Sequence, residues 1–476
     1  MNRLIKSTAT LMSGTLFAQT ISIAAAPIIT RIFSPENYGL LGIYIAVTTI
    51  PIMLATGRYH VAIVLPKDDK KAVSLYVLAC YILFFITLVT ALLAGLLADK
   101  ISALVGMPQL ASLLWLAPFS VFLRGYYQTL QYYSNRKERY TAMAFAQTSD
   151  SLLGSALIIG LGIVVSNSAD SLVIGRIGGA AAAVFVLVSL VFRANVLKTL
   201  FEAKVQDLTQ VALEYKKFPL VSSWALLLNT LAFIMPIILL GFYFDAAVVG
   251  LYALADRIVI TPLSIVGKSV AQVFYRRTAK IERSENLVKA ITLLVEKLSL
   301  IAAIPLFFLM FNAVPIFGVV FGAEWVEAGY FVQILAPYAL VRFVVAPLTN
   351  IALVIGKQEL ELRFNVVLLL GRIIAIYIGG INQDIALALV LLSCASVVSY
   401  IFLLLSIAQK TKISTMTLIT PAAYNILGSL IVVCAMYALV GNETWVAVTA
   451  SLLLSGLIYV IWLYYSNREL IHANVK

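Results

Sequence analysis

Charge is what this sequence has least of. Only 12% of its 476 residues are Asp, Glu, Lys or Arg, against roughly 25% in soluble domains. A chain this long and this poor in charge cannot clothe a surface that faces water on every side. That excludes an ordinary soluble enzyme or binding domain. Cysteine is scarce too. Cys80, Cys394 and Cys434 all lie in apolar stretches and form no CxxC pair, so neither a disulfide framework nor a metal site is expected. The sequence has no GxxxxGK[ST] phosphate loop and no HExxH helix, so no cofactor or catalytic metal is expected. Nor is there a basic domain to go with the formal charge of +12. The basic residues sit in short loops between apolar segments, which points to an anionic leaflet and away from nucleic acid. The apolar stretch behind Arg3 and Lys6 runs on to about Thr30. It is too long for a cleaved leader and reads as a first membrane span.

What is present in abundance is hydrophobic residue, 62% of the chain. With a ruler of about 20 apolar residues per crossing, spans are predicted near 10–30, 39–64, 72–94, 109–131, 140–164, 171–192, 219–243, 248–275, 291–311, 328–353, 364–381, 385–407, 417–440 and 444–464. The fold class expected is therefore an all-α integral membrane protein of about fourteen transmembrane helices. With the N-terminus inside, 24 Lys and Arg fall on inner loops; only Arg31 and Lys100 fall on outer ones. This bias predicts that both termini are cytoplasmic. The longest inner connection, about 193–218, is amphipathic and is expected to lie along the membrane surface.

The chain also repeats itself. Phe33-Ser-Pro-Glu-Asn-Tyr-Gly39-Leu40 matches Phe244-Asp-Ala-Ala-Val-Val-Gly250-Leu251 at an offset of 211, where Lys6 also meets Lys217 and Pro51 meets Pro262. Leu116-Ala-Pro118-Phe119 followed by Arg124 resembles Leu335-Ala-Pro337-Tyr338 followed by Arg342. The expected organisation is two six-helix lobes related by pseudo-two-fold symmetry, 1–200 and 201–408, with two further helices in 409–476. Transporters commonly place a substrate path between such halves.

Seven basic side chains fall below the ends of these spans: Arg58, Arg124, Arg176, Arg257, Lys268, Arg342 and Arg372. The acids at that depth are fewer: Asp150, Asp256 and, near a helix start, Glu296. A charge at a helix centre costs about 2.5–3.5 kcal/mol on insertion scales, so the set facing lipid would cost roughly 20 kcal/mol. That exceeds a typical folding free energy of about 5–15 kcal/mol. Most are therefore expected to face water, one another or a ligand. Arg257, Thr261, Ser264, Lys268 and Gln272 share one helical stripe, as do Arg124, Gln128, Gln131 and Asn135, and Thr8, Thr15, Gln19 and Ser22.

Blander readings stand beside this one. Arg58 and Arg176 lie within two turns of a helix end and can snorkel to the interface. Asp150 can pair with Arg124 or Arg176, and Asp256 with a neighbouring base. Membrane Ser and Thr often bond back to their own helix. The excess of base suits an anion, and arginine forks suit phosphate oxygens. The candidate substrate-binding set is thus Arg58, Arg124, Arg257, Lys268, Arg342 and Arg372. Gln19, Gln128, Gln131, Thr261 and Ser264 are its expected polar lining, and Asp150 and Asp256 are candidate coupling residues. Tyr126, Tyr127, Tyr132 and Tyr133 cluster near the inner end of the fourth span. They read as interfacial belt residues, with sugar stacking as the alternative.

At these residues a family resemblance enters. Arg31-Ile-Phe-Ser-Pro35-Glu-Asn-Tyr-Gly39 after the first span, and Arg58-Tyr-His-Val-Ala-Ile-Val-Leu-Pro66-Lys67 closing the second, resemble the bacterial polysaccharide-biosynthesis flippases. That family includes O-antigen and capsule-repeat translocases, in the superfamily of the multidrug extruders and lipid II flippases. The resemblance implies alternating access around a cationic cavity, and an undecaprenyl-pyrophosphate-linked oligosaccharide moved between leaflets of the bacterial inner membrane. It implies the bilayer and that lipid-linked substrate as partners. Polysaccharide polymerase and chain-length machinery, and a coupling proton or sodium ion, remain open. The resemblance departs at His60, where many relatives carry an acid. Two other readings stay open: a multidrug or cation antiporter of the same fold, and a membrane glycosyltransferase or polymerase. The sparse intramembrane acids weigh against the first and the short outer loops against the second.

Overall fold

In a computed structural model, residues 2–191, 205–278, 284–354, 357 and 359–440 are described. The fourteenth predicted span, near 444–464, lies outside them. The described chain is built of helices joined by short turns. Among the described residues, twelve helical stretches are long and apolar enough to cross a bilayer. The protein is thus a multi-pass, all-α membrane protein, as its composition predicts.

It divides into two compact units, Met1–Ala253 with Val320–Trp325, and Leu254–Val319 with Val326–Lys476. The first unit contains α1 (Asn2–Ile32), α2 (Pro35–Leu54), α3 (Tyr59–Ala62), α4 (Asp69–Val105), α5 (Leu110–Leu114), α6 (Ala117–Arg136), α7 (Tyr140–Val164), α8 (Ala169–Val191), α9 (Val205–Glu214), α10 (Ser223–Tyr243) and the start of α11 (Ala246–Thr278). The second holds the rest of α11, most of α12 (Ser284–Val320), α13 (Val326–Val345), α14 (Thr349–Val354), α15 (Glu359–Ile381), α16 (Ile385–Thr411) and α17 (Thr415–Val440).

The second span ends earlier than predicted. The apolar pattern runs to residue 64, but α2 stops at Leu54. Gly57 and Arg58 both take left-handed backbone, φ 53° and 58°, and the chain re-enters helix only for the short α3. A left-handed pair cannot continue a right-handed helix, and arginine there is strained. α4 runs longer than predicted. Asp68 caps it by accepting from Lys70 N at 2.9 Å, and nothing breaks it before Gly106 at φ 72°. α6 is absent from the twelve apolar helices. Arg124, Gln128, Gln131 and Asn135 dilute its hydropathy, yet it packs against α2, α4 and α8 like its neighbours.

The repeat is visible in atomic detail. Ser34 caps α2 by accepting from Asn37 N at 3.4 Å. Its counterpart at the offset of 211, Asp245, caps α11 by accepting from Val248 N at 2.8 Å. The paired glycines then meet within the first unit. A Cβ on Gly39 would lie 1.7 Å from Ala246 O, and one on Gly250 would lie 1.9 Å from Pro35 O. Each glycine thus faces the carbonyl four residues before the other, as a two-fold contact requires. Trp325 fastens the same corner: its indole Nε1 donates to Thr30 O at 2.8 Å, and its ring meets Tyr38 edge-on at 5.5 Å.

Small residues also set the other tight crossings. Gly175 and Gly179 of α8 lie against α7, and Gly379 of α15 against Ala388 of α16. Close approach of this kind drives helix association where apolar burial alone cannot. α9 carries the amphipathic pattern foreseen for the central connection. Its Val211 is buried, Tyr59 Oη donates to Ala212 O at 3.0 Å, and Lys71 pairs with Glu214 at 2.8 Å.

Candidate functional site

In the first unit the chemistry gathers on α6 and α7. Arg124 grips Asp150 with both ends of its fork, Nη1 to Oδ2 at 2.5 Å and Nη2 to Oδ1 at 3.0 Å. The two side chains keep 25% and 20% of their surface open. Tyr127 has both members of this pair as electrostatic neighbours, and Gln131 Nε2 donates to its hydroxyl at 2.8 Å. α7 turns the rest of its polar face to α1: Thr15 donates to Gln147 at 3.0 Å, and Ser22 meets Ser151 at 3.3 Å. Part of the polar stripe read on the first span is therefore spent on helix–helix contact. Midway along α2, Tyr44 shares a 2.6 Å hydrogen bond with Ser120 of α6. Below it, Arg58 sits in its left-handed turn with its Nε buried and unmatched by any hydrogen bond. His60 beside it bonds Thr56 and meets the Tyr132 ring at 5.0 Å. Tyr126 bonds Tyr76 at 3.1 Å. A second ionic cluster closes the α6–α7 turn: Asp69 accepts from Arg136 at 2.8 Å and from Lys137 at 2.9 Å, and Arg136 also donates to Pro66 O at 2.5 Å.

In the second unit, Arg342 of α13 donates to Tyr338 Oη at 2.7 Å. Arg372 of α15 lies over the same ring, 5.0 Å from its centroid, and its Nε donates to Ser396 at 3.0 Å. Asp256 of α11 has both guanidinium groups as its electrostatic partners, and Tyr400 packs beside Tyr338 at 6.2 Å. Two bases and one acid leave this cluster with excess positive charge. The two arginines differ in access. Arg372 is 3% exposed. Arg342 borders a cavity of about 240 Å³ that Ile260, Leu263, Ser264, Gly267 and Phe343 also line. Pro347 lines the same cavity, in the 3-10 segment Ala346–Leu348 between α13 and α14. Ser264 donates its hydroxyl to Thr261 O at 2.8 Å, the backbone bonding expected of membrane serines.

The predicted site residues thus fall into distinct surroundings. Arg124 and Asp150 are brought together, as are Asp256, Arg342 and Arg372. Arg58 stands apart from the Arg124 pair at a helix end. Arg257 has partners of its own. Thr261 lies one turn beyond Arg257 on α11, and Gln19 and Gln128 are half-buried on α1 and α6. The Lys268 side chain lies outside what is described. Sequence reasoning missed Tyr338, Ser396 and Tyr400. The signal was there: Tyr338 precedes Arg342 by one turn, and Ser393, Ser396 and Tyr400 share a face of α16.

Known proteins agree with this architecture. A membrane protein from the cps region of Klebsiella pneumoniae, itself uncharacterized, is 23% identical over 98% of this chain and 96% of its own length. The inward closed conformation of the lipid II flippase MurJ superposes with a TM-score of 0.77, at 14% identity, over 97% of this chain and 99% of that one. An inward-facing multidrug resistance MATE family transporter of the MOP superfamily reaches 0.64, at 15% identity, over 83% and 96%. The fold is therefore that of membrane transporters and flippases. The family described as polysaccharide biosynthesis protein matches residues 28–329, well over half of the chain, and it is to this family that the protein belongs.

Proposed function

We propose that this protein is a flippase for an undecaprenyl-pyrophosphate-linked oligosaccharide: an O-antigen, capsule or exopolysaccharide repeat unit. It carries its substrate from the inner to the outer leaflet of the bacterial cytoplasmic membrane by alternating access, and catalyses no covalent step. One observation carries the reading. Arginine exceeds acid at membrane depth in both units, and Arg124 and Arg342 each stand open to a ligand rather than sealed. A pyrophosphate cannot cross hydrocarbon unaided, and a planar fork holds its oxygens two at a time. The strained turn and unmatched Nε of Arg58 support a further anion contact near a helix end, apart from the Arg124 pair.

The test is deletion of the gene, followed by separate measurement of lipid-linked sugars on each leaflet. The repeat unit should accumulate on the inner leaflet and return to the outer one on complementation. Unchanged distribution would end the proposal. Orientation has its own test. Reporters fused at Lys70, Lys137 and Lys410 should report cytoplasm, and those at Lys100 and Glu324 periplasm, as the basic-residue bias requires. A periplasmic signal at Lys137 would reverse the topology. A drug–cation antiporter shares the fold, but Asp150 is held by Arg124 and Asp256 lies in the positive field of Arg342 and Arg372. Drug sensitivity of an exporter-deficient host should therefore not change on expression.

A further inference from the structure

Arg124 has two candidate anions: the phosphate assigned to it above, and Asp150, which already holds it. We propose that Asp150 is a resident anion, occupying the Arg124 fork until the substrate's phosphate displaces it. This rests on the reading of Arg124 as a phosphate contact.

Three features of the pair set it apart from a fixed structural bridge. The first is seating. A Cβ on Gly179 of α8 would lie 2.6 Å from Asp150 O and 3.0 Å from its Oδ1. The absence of a side chain at Gly179 lets the α7 backbone approach this closely and leaves room beside it for the carboxylate, whose oxygens are held by Arg124 of α6. The second is access. Arg372, bound to Ser396 and covered by Tyr338, is sealed. Arg124 and Asp150 make a stronger, two-pronged contact and yet remain a fifth to a quarter open, so an incoming anion can reach the fork. The third is a place for the carboxylate to go. Tyr127 lies beside the pair. Its hydroxyl accepts from Gln131 at 2.8 Å, which leaves its own proton free to donate to a displaced Asp150.

Carboxylate and phosphate both match the arginine fork, so the exchange trades one charge-assisted contact for another. It never leaves a bare guanidinium in a low-dielectric place. The empty protein stays neutral at this point, and release of the product is assisted by the returning carboxylate. Asp256 supplies the same kind of counter-charge to Arg342 in the second unit, from a different helix position.

The experiment uses the full chain in nanodiscs, with farnesyl pyrophosphate as a short prenyl pyrophosphate probe and melting temperature as a fold control. Asp150→Asn keeps shape and loses charge. It should bind the probe at least about tenfold tighter, the factor by which a fork nine-tenths occupied lowers apparent affinity. Export should fall, because release loses its competitor. Asp150→Ala, which removes the carboxylate outright, should tighten binding in the same direction and serves if Asp150→Asn misfolds. Arg124→Gln/Asp150→Asn, set against Asp150→Asn, separates the two layers. If it leaves probe binding unchanged, the phosphate reading of Arg124 fails. If it weakens binding while Asp150→Asn and Asp150→Ala do not tighten it, Asp150 is only a structural partner and the resident-anion proposal is overturned.

Discussion

The charge-neutral double variant Arg124→Gln/Asp150→Asn will remain folded in the membrane and export no polysaccharide. Removing Arg124 alone is a poorer test. It strands Asp150 in a low dielectric, and breaking a buried pair costs about 3–5 kcal/mol. With a fifth to a quarter of each side chain open, the low end applies, which is still enough to deplete the protein. Neutralising both partners removes that penalty, because a buried pair replaced by uncharged groups is often tolerated. Loss of export beyond that of Asp150→Asn alone then reports the missing cation. A charge-assisted hydrogen bond is worth about 1.5–3 kcal/mol, so losing both prongs should cut export roughly a hundredfold or more. The readout is surface polysaccharide in a deletion strain, with membrane protein levels measured beside it. Arg124→Lys should rescue poorly, since an ammonium cannot present the fork. Normal polysaccharide from Arg124→Ala/Arg257→Ala/Arg342→Ala would sink the cationic mechanism, whatever the fold.

The second large effect belongs to the glycine corner. Gly39→Val should prevent recovery of folded protein, or lower its melting temperature sharply in detergent. The new Cβ would sit 1.7 Å from Ala246 O, and that neighbour is backbone, so the helices themselves must part. Overpacking of a core costs about 1–3 kcal/mol even where side chains can yield. Gly250→Val should behave alike, since its Cβ meets Pro35 O at 1.9 Å. Gly42→Ala is the control. Its Cβ would find only side-chain atoms, the nearest Val249 Cγ1 at 3.4 Å, and it should melt like the unaltered protein. Equal stability of Gly39→Val and Gly42→Ala would mean the crossing is looser than described.

Most of the fold was legible because a bilayer makes unusually simple demands. Apolar length and the punctuation of charge found a helix for each of thirteen predicted spans where the chain is described, but they misplaced the far ends of the second, third and ninth. The errors lie where backbone geometry overrides composition. Nothing in the hydropathy of residues 55–64 announces a left-handed pair at Gly57 and Arg58. The offset of 211 found true equivalents, down to the caps Ser34 and Asp245. It could not reveal that Gly39 and Gly250 touch. The stripes were half informative. Periodicity says that Thr15 and Ser22 share a face, but not that the face meets α7 rather than water. The acids were the easier part: Asp150 had few bases within reach, and Arg124 was one of them. Arg372 was harder, because a serine and a tyrosine ring supply its surroundings, and neither residue type stands out in a membrane helix.

The polarity of α6 has a consequence for how the chain is made. A helix carrying Arg124, Gln128 and Gln131 has little drive to leave the translocon by itself, and its arginine alone opposes partition by about 2.5–3.5 kcal/mol. The carboxylate that neutralises it lies 26 residues further along, on the next helix to emerge from the ribosome. Only residues 137–139 separate the two helices. α6 is therefore expected to enter lipid together with α7, as a hairpin with their charges already joined. The ion pair at the centre of the site is, on this account, also the ticket by which its own helix is admitted to the membrane.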